Sequence, residues 1–123
     1  MILTMRVLLE FLRHELVQAI RGFRGVHDSV RNTAVSRRPT DDETVRRICD
    51  AVTLASCFYW KPVLCLPRAV VTTRLLRKCG VEAELVIGYR PSPFLSHAWV
   101  EVNGRIVNDS PTYQERLLVL ERI

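Results

Sequence analysis

The sequence lacks any run of about 18 apolar residues, the length a membrane span requires. Its apolar start, residues 1–12, is broken by Arg6 and Glu10, and no small-residue cleavage site follows. Neither a membrane anchor nor a secretory signal is expected, and a reducing cytoplasm is the expected compartment. Lysine is scarce: 16 of the 18 basic residues are arginine, spread from Arg6 to Arg122 with 13 acids interleaved. A net charge of +5 dispersed in this way forms no basic block, so no nucleic-acid partner is expected. The four cysteines, Cys49, Cys57, Cys65 and Cys79, include no CxxC pair and have no histidine at zinc-ligand spacing. Free thiols are therefore expected, with no metal.

What is present is ordinary globular material, 48% hydrophobic and 25% charged over 123 residues, enough for one domain with a single core. Apolar residues recur at helical spacing over residues 2–23 (Leu8, Leu9, Leu12, Leu16, Ile20), which predicts an amphipathic helix. This apolar face is expected to pack on its own domain. Residues 22–39 read as a loop with a short helical piece. Thr40 or Asp41 then caps a helix over 43–59 that buries Val45, Ile48, Cys49, Val52, Ala55 and Ser56, with Cys57 as another small core residue. Lys61 and Pro62 end that pattern, and the next helix starts near Cys65 and stops at Gly80, placed as a left-handed cap.

After Gly80 the period changes to two, which predicts strands over 81–89, 97–102 and 105–109, with a Pro-containing loop over 90–96. A last apolar run, 117–120, fits a strand or a short helix. Helices first and an antiparallel sheet after make an α+β fold.

Three residues stand where a nucleophilic thiol needs them. Cys65 opens a helix, whose unpaired amides favour a thiolate; His97 opens a strand; Asp109 closes the next. A two-residue turn at Asn103 and Gly104 would put His97 and Asp109 on opposite faces. A three-residue loop of Val102, Asn103 and Gly104 sets His97 opposite Asp109 and Glu101 opposite Arg105, and this register is the expected one. Asp109 then orients His97, and His97 deprotonates Cys65. The Cys65 amide and a side chain from Tyr59 or Trp60 are candidate oxyanion donors. Packing alone also accounts for a lone Cys, His or Asp at such places.

The segments Cys65-Leu66-Pro67-Arg68-Ala69, Leu75-Leu76-Arg77-Lys78-Cys79-Gly80-Val81, Leu85-Val86-Ile87-Gly88 and His97-Ala98-Trp99-Val100-Glu101-Val102-Asn103-Gly104, with Asp109, resemble the transglutaminase-like cysteine peptidases of lasso peptide biosynthesis. The resemblance implies a papain-like or transglutaminase-like fold with Cys65 as nucleophile, His97 as base and Asp109 as orienting acid, and with no cofactor. It implies a single peptidase domain over 1–123, in which 1–40 is an N-terminal helix and loop and 41–123 the catalytic core. It further implies removal of the leader from a ribosomally made precursor peptide by a stand-alone peptidase. A separate RiPP recognition element would present the leader, and an ATP-dependent macrolactam cyclase would act on the freed core peptide. Phe94 and Trp99 are candidates for leader contact or for packing. A transglutaminase-like amidase for another substrate, or a non-catalytic peptide-binding module, would preserve the same fold.

Overall fold

The computed structural model describes residues 2–37, 41–60, 63–91, 94–109 and 113–123, the side chains of Phe94 and Glu115 excepted. Thr40, Lys61 and Pro62 lie outside the described residues. The chain forms helices α1 (Ile2–Arg31), α2 (Asp42–Phe58) and α3 (Cys65–Lys78), then strands β1 (Ala83–Pro91), β2 (Phe94–Val102) and β3 (Arg105–Ile106), a four-residue helix α4 (Tyr113–Arg116) and strand β4 (Leu118–Arg122). The strands make one antiparallel sheet in the order β3-β2-β1-β4, with the three long helices on one face. The α+β expectation and the open question at 117–120 are thereby resolved, the latter as a strand.

Local chemistry explains most boundaries. Asp41 adopts an extended backbone and its carboxylate accepts from the Thr44 amide at 2.9 Å, capping α2. Gly80, at φ 89°, takes the left-handed conformation that ends α3. The expected loop over 90–96 is mostly strand, because β1 runs to Pro91 and β2 starts at Phe94.

Helix α1 departs from expectation twice. It continues to Arg31, with a break in helical geometry at Gly22 (φ 68°, ψ −160°), a conformation that glycine adopts without a Cβ penalty. Its buried face is Val7, Phe11, His14, Val26 and Val30, while Leu9, Leu12, Leu16 and Ile20 are exposed. Of the expected stripe only Leu8 packs against the core, and the expected packing of the other four residues is overturned. The cause is an α3 that approaches the other side of α1: Arg74 Nε and Lys78 Nζ each donate to Glu10 at 3.0 Å, and Arg74 Nη1 donates to the Ser29 carbonyl at 3.1 Å. One turn further, the buried Arg77 donates to the carbonyls of Val30, Ala83 and Ile123, joining α1, β1 and the end of β4.

Burial raises the Glu10 carboxyl, but the hydrogen bonds from Arg74 and Lys78 outweigh it and leave the group below its ordinary value. A lowered folded-state value means the carboxylate stabilises the fold above its unfolded value, and this contribution is lost as pH falls through the folded one. Glu10→Gln should therefore cost about 1–3 kcal/mol at neutral pH by leaving Arg74 without its anion. Thermal unfolding should show the gap from the parent closing as pH drops below 4.5, the ordinary value of the group; a gap independent of pH would refute the assignment.

Candidate active site

The β2–β3 turn sets the geometry of the site. Asn103 (φ 53°) and Gly104 (φ 76°) both have positive φ, the signature of a two-residue type I′ hairpin turn, which asparagine and glycine tolerate. Accordingly Glu101 faces Ile106 and Val102 faces Arg105. The expected three-residue loop does not form, and Glu101 pairs with Arg122 (2.8 Å) and the Trp99 indole (2.8 Å) instead of Arg105.

His97 and Asp109 nevertheless meet. The β3 ladder lasts only two residues, after which the chain bends; the Val107 amide donates to the Val100 carbonyl (3.0 Å) and Asn108 Oδ1 accepts from the Val100 amide (2.9 Å). This fold-back carries Asp109 to His97, with Nε2 and Oδ2 2.8 Å apart. A carboxylate accepts only, so Nε2 carries the proton, and in the neutral imidazole Nδ1 holds the lone pair. The side chains are 16% and 26% exposed, shielded but reachable. Tyr113 stacks on the imidazole with ring centroids 4.0 Å apart, and Trp99 packs alongside at 6.3 Å. Trp99 itself is fully buried, so its role is packing and it offers no surface to a substrate. The Phe94 side chain lies outside the described residues.

Cys65 is the first residue of α3, half-buried, at the margin of the helix-facing core. Alternation along β2 sends Ala98 and Val100 into that core and His97 and Trp99 to the opposite face, where Val86 and Leu117 complete a second cluster. Among the described residues the Cys65 thiol makes no hydrogen bond with His97. The structure thus joins two of the three expected residues and leaves the sulfur with the helices. A strut connects the two places: Arg68, one turn into α3, donates from Nη2 to the carbonyl of Asn108, the residue before Asp109, at 3.1 Å.

The other candidates divide. The Tyr59 hydroxyl donates to Glu15 at 2.5 Å, so its proton is committed there; burial, then the Glu15 bond, push the phenol above its ordinary value. Trp60 is 74% exposed, with its ring 6.0 Å from that of Tyr59. Cys57 is exposed, contrary to its expected core position. Burial, aided by Asp50, pushes the Cys49 thiol up to about 11, which keeps it protonated at neutral pH.

Sequence reasoning missed the surroundings of Cys65. A recess of about 350 Å³ beside it is bordered by Phe11, His14, Glu15, Gln18 and Tyr59. The only sequence signal for it is a polar trio one turn long within the apolar first helix. Tyr113 and Asn108 were also missed, since nothing in their spacing announces a ring stack or a fold-back.

Among the described residues no group of three or more His, Cys, Asp or Glu is placed to hold a metal ion, and no helix is long and apolar enough to cross a membrane. A family described as the transglutaminase-like superfamily matches residues 8–122. The microcin J25-processing protein McjB of Escherichia coli is 42% identical over 59 residues, covering 48% of this chain and 28% of that protein. The chain thus matches little more than a quarter of that relative's length. No solved structure matches.

Proposed function

The chain belongs to the transglutaminase-like superfamily, and we propose that it is a cysteine peptidase that removes the leader from a ribosomally made lasso precursor peptide. The observation that carries this is the 2.8 Å bond between His97 and Asp109, on the strand and fold-back that follow a helix beginning with a cysteine. The similarity to a microcin-processing protein supports the substrate class. In this proposal 1–123 is one catalytic domain, a separate recognition element presents the leader, and a macrolactam cyclase receives the freed core peptide.

The proposed chemistry uses side chains, backbone amides and water. In the first step Nδ1 of His97 takes the proton from Cys65 Sγ, with the Arg68–Asn108 bond tying the start of α3 to the residue before Asp109. The thiolate attacks the scissile carbonyl carbon, and amides of the first turn of α3, which lack intrahelical acceptors, receive the oxyanion. Collapse breaks the C–N bond as His97 gives its proton to the leaving amine, leaving a thioester on Cys65. Water, deprotonated by His97, then attacks the thioester; the acyl carbon departs as a carboxylic acid and the thiol is restored. Asp109 holds the imidazole with Nε2 protonated throughout.

Asp109→Asn tests this. The substituted amide can present its NH₂ to Nε2 and favour the wrong tautomer, so turnover of the precursor, with the recognition element present, should fall by about 10²–10⁴-fold. The fold should be retained, as followed by circular dichroism. Unchanged turnover would remove Asp109 from the mechanism.

A further inference from the structure

The recess beside Cys65 is built like a side-chain pocket. Cys65 stands at its rim between Leu64 and Leu66, while Phe11 and Tyr59, with ring centroids 5.3 Å apart, give it an aromatic wall. Its polar end comes from one turn of α1. There the Glu15 carboxylate accepts the Tyr59 hydroxyl proton, and His14, buried, is bonded through Nε2 to Gln18 Oε1 at 3.1 Å. At about 350 Å³ the volume is at the small end of ligand pockets, suited to one side chain with water rather than to a length of peptide. The walls are apolar, and the charged group is an acceptor whose orientation a second residue fixes. An apolar stem therefore gains by burial there, and a tip that donates a hydrogen bond gains a charge-assisted bond to Glu15.

We propose that this recess is the specificity pocket of the enzyme, receiving a substrate side chain on the acyl side of the scissile bond, and that Glu15, held by Tyr59, selects an apolar stem with a hydrogen-bond-donating tip. The inference rests on the peptidase assignment above. The acyl side is the one that remains bonded to sulfur as the thioester, so a pocket at the rim of Cys65 holds it through both chemical steps.

N-acetyl dipeptidyl chloromethyl ketones provide the probe. Each alkylates a thiol by forming an S–C bond and expelling chloride, and the side chain next to the ketone can be varied in pairs of similar size, Asn against Leu and Gln against Met. Residue-resolved mass spectrometry of the intact chain gives the alkylation rate at Cys65, and the exposed Cys57 calibrates reagent reactivity. Cys65 should react about tenfold or more faster with the donor-tipped member of each pair. This ratio should fall toward one in Glu15→Gln and decrease partially in Tyr59→Phe, which keeps the carboxylate but releases it. Equal rates within each pair in the parent, or a ratio that survives both substitutions, would overturn the pocket. Cys65 reacting no faster than Cys57 with every reagent would instead overturn the peptidase assignment, and the pocket with it.

Discussion

Cys65→Ala should bring precursor cleavage to the uncatalysed background, a loss of about 10⁴-fold or more, because no other group in the chain replaces the departing nucleophile. Three other cysteines compete for the role. The Cys49 thiol is pushed up to about 11, Cys57 is exposed on α2, and Cys79 lies just beyond the C-terminal end of α3, packed against the core. Cys57→Ala should accordingly keep turnover within about twofold of the parent, within the noise expected of a surface substitution. The alanine variant should still bind the precursor, since the change removes one sulfur and leaves the helices and sheet as they are. Lost turnover with retained binding, read by a fluorescence-labelled leader, separates a catalytic cysteine from a structural one. Retained turnover would remove Cys65 from the mechanism as its nucleophile.

The second large effect is on stability. Gly88 faces His97 across the β1–β2 ladder, and a Cβ there would lie 2.5 Å and 2.7 Å from two carbons of the Trp99 six-membered ring and 3.1 Å from Leu117 Cβ. Trp99 is fully buried, so it has nowhere to retreat without moving Tyr113 or His97. Gly88→Ala should cost about 1–3 kcal/mol by overpacking, lowering Tm by about 3–5 °C per kcal/mol for a chain of this length. Trp99→Phe removes the atoms that collide, so the double variant should recover much of the loss relative to Trp99→Phe alone. Strictly additive costs in that thermal cycle would show that Gly88 matters for some reason other than contact with Trp99.

Much of the architecture could be read from residue pattern. The cap at Asp41, the start of α3 at Cys65 and the stop at Gly80 follow from local chemistry that acts within a few residues. The hairpin register is set by turn chemistry and not by a Glu101–Arg105 charge pair. The Asn103–Gly104 pair, with positive φ at both positions, decides register at short range, whereas Glu101 had a stronger partner in Arg122, 21 residues away and invisible to local reasoning. The meeting of His97 with Asp109 does not come from the three-residue loop: it depends on the chain leaving the ladder after Ile106. Helix α1 failed differently. It carries apolar residues on two sides, and periodicity identifies a stripe without saying which stripe the rest of the domain covers.

The placement of the two tryptophans gives the molecule a pair of separable optical reporters. Trp60 is open to water beside the Tyr59 wall of the Cys65 recess, while Trp99 is sealed beneath the imidazole. Iodide in solution quenches the emission of the first and spares the second, so a titration divides the signal into a share that tracks occupancy near the sulfur and a share that tracks the histidine platform. Events at the two halves of the site, and the order in which they occur, become visible in the unlabelled chain.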